Sequence, residues 1–383
     1  MKAKEYFNSM TRRDFIKATG VVGGAAMLGI NPLDALIAEA SVEPMSSATL
    51  AEQEKLYAAA KKEGQVTLYQ SSSTKAGSAL AKAFMQKYPG VKCSVYRAGS
   101  VKCHTKLDTE HRANKTVCDV FHTSLYSAFL TMTDQGRFMK YVSPEIKNYW
   151  EKWTNPEYYA PVRFTTMGIA WNSDIVSDAE APKSYAAGAK MAEQEKWFGK
   201  IAIGDPHGSA NALAWVYSLV QKYGDTAWDW FRAWGEADAG TFTSHGSMDK
   251  EILAGKYPVS MEDLDYRINE NMIKGTPLKG FWPKDGVAVG PGPVAIPKDA
   301  PNPNAAKLFS TYCLSSEGCQ AFQKGGSSNA GRKTGVMKFK HMPGYDDLNI
   351  IDIDYRQLDA DTKDLLAKFE EVFGAAKKKA RSK

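Results

Sequence analysis

The sequence predicts an α/β protein built as two lobes, each a sheet flanked by helices. Three observations carry that expectation. A strand, a polar loop and a helix recur three times after Leu50, the pattern of a sheet with crossover helices. A second strand–helix region begins near Arg163 and again places polar residues after its strands. No internal repeat and no low-complexity linker is present.

Taken in order, residues 56–62 read as a helix broken by Gly64, and 66–69 as a strand leading to Ser71, Ser72 and Ser73. An amphipathic helix follows, with Leu80, Ala83, Phe84 and Tyr88 on one side, ended by Pro89 and Gly90. Strand 91–96, helix 101–113 and strand 117–122 come next, the last running into Thr123, Ser124 and another helix. Ligands in such sheets gather beyond the carboxyl ends of the strands, where these hydroxyl-rich loops lie. Farther on, 164–171 is a strand, and 201–203 is a strand that opens into the loop 204–210 and a helix over 211–223. Residues 258–261 form a strand, Glu262, Asp263, Leu264, Asp265 and Tyr266 the loop after it, and a helix follows. The strand at 287–296 is interrupted by Gly290-Pro291-Gly292-Pro293. The expected division is a first lobe over 50–165, completed by segments at about 290–375, and a second over 166–289. Thr166 falls in the strand assigned to the hinge.

The N-terminus is a leader. Arg12 and Arg13 precede Phe15-Ile16-Lys17, an uncharged Gly/Ala-rich run follows over 18–30, and Ala38-Glu39-Ala40 supplies small residues at a cleavage site. That order marks a twin-arginine export signal over residues 1–40 and a periplasmic destination. The apolar run is too short to span a bilayer. The leader carries five basic and four acidic residues, so the mature chain keeps about +5 of the net +6. Lys377, Lys378, Lys379, Arg381 and Lys383 concentrate that charge in the tail, a solvated helix end. The body is near neutral, and nothing in it argues for nucleic acid.

The five cysteines raise the question of disulfides in an exported chain. Cys313 and Cys319 flank a turn and form the candidate local bridge. Cys93, Cys103 and Cys118 lie on neighbouring elements. Phosphate-loop, dinucleotide, zinc-protease and nucleophile-elbow motifs are all absent, which argues against an enzyme, and no cofactor is implied.

Four stretches then carry a family resemblance. Leu56-Tyr57-Ala58-Ala59-Ala60-Lys61-Lys62-Glu63-Gly64 precedes a strand. Trp197-Phe198-Gly199-Lys200-Ile201 leads to Asp205-Pro206 and Gly208-Ser209. Trp282-Pro283-Lys284-Asp285-Gly286 leads to Val294-Ala295-Ile296, and Ala300-Pro301-Asn302-Pro303-Asn304 begins the run to Ser315-Ser316-Glu317-Gly318. In this order, over roughly 50–340, the chain resembles family 1 extracellular solute-binding proteins of ABC importers, the ferric-iron and thiamine branch above all. The resemblance implies a type II periplasmic-binding fold with mixed sheets and a hinge. It also implies closure on a small solute and delivery to an importer permease by a monomer. A ligand-sensing subunit for a membrane kinase would share these features.

The candidate ligand residues follow from both readings. Gly208, Ser209 and Ala210 open a helix whose free N–H groups suit an anion, although Ser209 also serves as a plain helix cap. Ser72, Ser73, Thr123 and Ser124 either cap helices or line the pocket, and Thr166 is either ligand-facing or a half-buried strand residue. Glu262, Asp263, Asp265 and Tyr266 offer carboxylates and an aromatic ring for an amine or quaternary nitrogen. In the ferric-binding members two adjacent tyrosines stand here; Tyr266 matches one, and Asp265 replaces the other, which weakens the iron reading. A small charged solute, such as a zwitterionic aminophosphonate, is the ligand these groups suggest. His207 stands beside the anion loop, and His245 in a further strand-end loop.

Overall fold

The computed structural model describes residues 37–39 and 41–382. The expected leader lies outside the described residues except for strand β1 (Ile37–Glu39). Helix α1 (Ser47–Glu63) starts at Ser46, whose hydroxyl accepts from the Thr49 N–H, and ends at Gly64 with φ 74°, a left-handed turn that a residue without Cβ takes without strain. Three strand–helix units follow: β2 (Gln65–Gln70) and α2 (Thr74–Lys87), β3 (Lys92–Arg97) and α3 (Ser100–Arg112), β4 (Val120–His122) and α4 (Tyr126–Asp134). β2 pairs in parallel with both β3 and β4.

Strand β5 (Tyr159–Asn172) is buried along all 14 residues. After it come α5 (Tyr185–Ala192), β6 (Ile201–Gly204), α6 (Ala210–Tyr223), α7 (Asp225–Glu236), β7 (Gly240–Phe242), α8 (His245–Leu253), β8 (Val259–Leu264), α9 (Asp265–Ile273) and β9 (Leu278–Phe281). Then follow β10 (Val289–Ala295), α10 (Pro303–Leu314), α11 (Ser316–Gly326), β11 (Asn329–Ala330), β12 (Lys338–Phe339), α12 (Tyr355–Phe369) and, after a π-helical turn over Glu370–Gly374, α13 (Ala375–Arg381). The main sheet runs β3-β2-β4-β10-β5-β8-β6-β7, with β9 and β11 also on β5. β5 is the shared element. Its residues Tyr159 to Thr166 pair with β10, whereas Met167 onward pairs with β8 and β9. The Met167 N–H donates to Ala288 O at 3.1 Å, so the chain recrosses beside the same point.

One core cluster belongs to the first half, and a larger one runs from the first half into the second. Leu80, Phe84, Phe309, Tyr312 and Phe322 pack beneath α2, α10 and α11 in the first. Trp215, Phe231 and Trp234 pack within the second, in a larger cluster that α12 joins through Phe369. Truncating aromatics buried like these removes about 3–5 kcal/mol each.

Three expectations need correcting. The strand at 258–261 continues through Glu262 and Asp263 to Leu264, so the acidic run begins inside the sheet and only Asp265 opens the helix. Glu262 tolerates this because the His245 ring meets its two oxygens at 2.8 and 2.9 Å. Strand β10 runs straight through Gly290-Pro291-Gly292-Pro293; β4 reaches it only at Val294 and Ala295, so the prolines fall where one side has no ladder to lose. The bridge between Cys313 and Cys319 is not formed: all five cysteines are free and buried, and the Cys319 thiol lies against Cys313 O at 3.4 Å. Residues 355–381 touch both halves. Arg356 pairs with Asp134 on α4, while Arg381 Nε meets Asp238 just after α7 at 2.7 Å. No helix among the described residues is long and apolar enough to cross a membrane.

Candidate functional site

Where the halves meet, the ends of β2 and β4 and the middle of β5 bring a group of hydroxyls around one guanidinium. Arg163 projects from β5, 3% exposed. Its Nε donates to Ser72 Oγ at 3.0 Å, Nη2 to Ser124 Oγ at 2.7 Å, and Nη1 to Thr165 Oγ1. Ser72 in turn meets His122 Nε2 at 3.0 Å, and His122 Nδ1 meets Pro293 O at 2.9 Å. A carbonyl only accepts, so Nδ1 carries the ring proton, and Nε2 takes the Ser72 hydroxyl proton. Burial, and then the neighbouring Arg163 charge, push His122 down to about 3. The imidazole therefore stays neutral and fixes the direction of the chain Arg163 → Ser72 → His122 → Pro293.

Ser73 caps α2 by accepting from Ala76 N at 3.1 Å. From the second half, α9 lowers its first turn onto this group. The Tyr266 ring lies 5.8 Å from the Arg163 guanidinium carbon. Asp265 Oδ1 accepts from Tyr266 N at 2.7 Å, and Asn329 Nδ2 approaches Oδ2 at 3.4 Å. Burial pushes Asp265 up to about 7, partly opposed by its backbone hydrogen bond and by Arg163. Two further contacts hold the halves together: Asn269 Nδ2 donates to Ser327 O at 3.0 Å, and Lys75 reaches Glu270 at 3.5 Å. The halves are thus closed on a small cavity of about 10 Å³, lined by Ser72, Ser73, Ala76, Arg163, Tyr266, Phe322, Gly326 and Ser328. That is room for a single water-sized group.

The predicted residues separate into three sets. Ser72, Ser73 and Tyr266 line the cavity; Ser124 touches it through Arg163, and Asp265 stands within the same electrostatic field. Thr123 is buried with an unpartnered hydroxyl, and Thr166 accepts from Trp282 Nε1 at 2.9 Å, beside the crossing point. The remainder lie elsewhere. Glu262 is turned into the second half toward His245 and Gly204. Asp263 Oδ1 takes the Leu264 N–H at 2.7 Å, and its Oδ2 is buried without a partner. Ser209 caps α6, accepting from Ala212 N at 3.2 Å, with Ala210 half-buried beside it. Gly208 lies against Thr243, and His207 pairs with Asp205 near Phe369. The loop expected to seat an anion is therefore not at this cavity.

The principal residue missed from sequence is Arg163. It is a lone charge in a strand otherwise made of apolar, hydroxyl and amide residues, and that isolation was the available signal. The iron reading loses support here. Burial raises the Tyr266 phenol pKa, which counts against a ready phenolate for a metal, although the Arg163 and Arg267 charges partly oppose that shift. No group of three or more His, Cys, Asp or Glu among the described residues could hold a metal ion.

Comparison with known proteins agrees with this architecture. Residues 79–331 match the model of the bacterial extracellular solute-binding proteins, and residues 9–29 match the twin-arginine translocation signal. An uncharacterized protein of Haemophilus influenzae is 25% identical over 295 residues, covering 74% of this chain and 82% of its own. Among solved structures, AfuA from Actinobacillus pleuropneumoniae, a periplasmic binding protein with fructose-6-phosphate bound, is 23% identical with a TM-score of 0.69, covering 82% of this chain and 99% of its own. Iron-bound HitA from Pseudomonas aeruginosa is 19% identical with a TM-score of 0.69 and covers 80% and 99%. These likenesses show the type II periplasmic-binding fold. The signal and the matched family together place the mature protein in the periplasm, and the chain belongs to the bacterial extracellular solute-binding protein family.

Proposed function

We propose that the protein captures a small charged solute between its two halves and presents the closed form to the permease of an ABC importer, with no catalytic step. The observation that carries this reading is the position of the cavity. Its floor belongs to the first half, Tyr266 covers it from the second, and both halves hang on β5, which changes partners between Thr166 and Met167. A solute bound there gains contacts only when the halves are together, and this difference in contacts drives closure. The lobe boundaries follow from the same point: a hinge at Thr166/Met167 and at Ala288/Val289. AfuA and HitA, structures of this fold, hold a sugar phosphate and iron respectively, so the fold accommodates charged cargo.

The test is a solute screen on the mature protein in solution, read by thermal unfolding and by small-angle scattering. A cognate solute raises Tm, by an amount set by its concentration over Kd, and shrinks the radius of gyration. Stabilisation without any change in dimensions would count against capture by closure.

A further inference from the structure

We propose that the recognised part of the solute is an oxyanion anchored by Arg163, with an apolar body between Tyr266 and Phe322; because the cavity here measures only about 10 Å³, the solute-bound form holds Tyr266 and Phe322 farther apart than they stand in this form. This rests on the receptor reading above and names the chemistry of its site. It reverses the cation-binding expectation drawn from the acidic run.

The first ground is a count of donors. A guanidinium has five N–H groups. Ser72, Thr165 and Ser124 take three, and all three acceptors are hydroxyls. Arg163 forms an ion pair with no carboxylate among the described residues, although it is 3% exposed. A buried cation is ordinarily paired; this one is oriented by neutral groups and keeps two N–H groups for something else. A planar fork with two spare N–H groups matches the two oxygens of a carboxylate, phosphoryl or sulfonyl group.

The second ground is independent of Arg163. Ser328 lines the same cavity, is 2% exposed, and its hydroxyl has no partner. Hydroxyls buried to that degree are ordinarily bonded, so Ser328 offers a further donor to a bound oxygen. The Ser72 proton, by contrast, is committed to His122, which leaves Ser72 as an acceptor that steers Arg163. Phe322, Ala76, Gly326 and the Tyr266 ring complete the wall, and they provide nothing polar for the rest of the solute except the phenol.

The charged groups around the anchor agree. Asp265 and Tyr266 are the acidic groups acting on Arg163. Asp265 is poised near neutrality and can accept a proton as an anion arrives. Arg267, on the same helix, is held by Asp249 and Glu270.

The experiment uses the mature protein and measures Tm and calorimetric affinity with millimolar acetate, benzoate, inorganic phosphate, phenylphosphonate and benzenesulfonate, set against ferric citrate, spermidine and glucose. At least one oxyanion stabilises the protein, the aryl compounds more than acetate or phosphate. The oxyanion series separates carboxylate, phosphoryl and sulfonyl sources. Arg163→Met weakens the best oxyanion by 100-fold or more, Arg163→Lys by about tenfold through loss of the fork, and Ser328→Ala by a smaller factor. If Arg163→Met does not fold, the Arg163→Lys and Ser328→Ala pair decides the matter. Closure on glucose or spermidine, with no oxyanion binding, overturns the inference and leaves the receptor reading standing. Oxyanion binding unchanged in Arg163→Lys and Ser328→Ala also overturns it, as does a lack of stabilisation by every oxyanion. If no solute of any class produces closure, the receptor reading fails with it.

Discussion

Two buried titratable residues flank the guanidinium and oppose each other in their dependence on pH. His122 is pushed from an ordinary 6.5 down to about 3, so between those values the unfolded chain binds more protons than the native one, and stability rises with pH. Asp265 is pushed from an ordinary 3.8 up to about 7, so the native chain binds more protons there, and stability falls as pH rises. Across the overlap the two slopes partly cancel. Asp265→Asn is expected to remove the falling component, giving a Tm that climbs steadily from pH 4 to 6.5. His122→Asn is expected to leave a Tm that declines from pH 4 to 7. Unfolding scans of both variants against the parent check the signs. Asp265→Asn also removes a negative charge beside Arg163, so the affinity of any oxyanion should lose its dependence on pH around neutrality. A carboxylate such as Asp265 could be read from sequence as a site candidate. Its role could not, because the sign of the site is set by Arg163, which lies 102 positions away in the chain.

At the level of elements, the alternation of strands and helices was visible from the local sequence pattern: β2, β3, β6 and α6 fall within a residue or two of their expected places, and α2 ends where Pro89 and Gly90 predicted. The error at β8 is instructive. Three acidic residues in five suggest a solvated loop, yet the strand carries Glu262 inward because α8 brings His245 to meet it, a contact no local pattern encodes. Glu262 therefore has a structural role. Glu262→Ala should lower stability by about 3 kcal/mol or more, since it breaks a buried pair, and should leave solute affinity within about twofold because the site is separate. Denaturant unfolding and calorimetry on one variant separate the two effects. The neighbouring Gly204 completes the argument: a Cβ there would lie 2.4 Å from Glu262 Oε2 and 2.7 Å from Ala212 Cβ. Gly204→Ala should accordingly destabilise by about 1–3 kcal/mol through overpacking, again measured by denaturant midpoint. The misplaced anion loop has a similar cause. Ser209 is a true helix cap, and which strand-end loops converge on one cavity is decided by how the halves dock.

On the scale of the whole molecule, a few specific polar contacts join the halves beside the apolar cluster that runs between them. Asn269 to Ser327, Lys75 to Glu270 and Tyr266 over Arg163 join the halves, while α12 leans on α4 and α6 together. Weakening the polar contacts should favour an open form. Asn269→Ala is predicted to enlarge the solute-free radius of gyration measured by scattering and to weaken solute binding several-fold, with a loss of about 1–3 kcal/mol in denaturant stability because Ser327 O is left unpaired.

Strand β5 gives this movement an asymmetric character. Arg163 stands only three residues before the point where β5 changes partners, about 10 Å along the strand. A rotation about that point carries the anchor through a short arc and the far helices of the second half through a long one. An anion seated on Arg163 would hardly travel when the molecule opens; the cover would lift away from it. Release then resembles uncovering a dish rather than parting a pair of jaws, and a permease that pries at the second half would find the cargo still resting on the first.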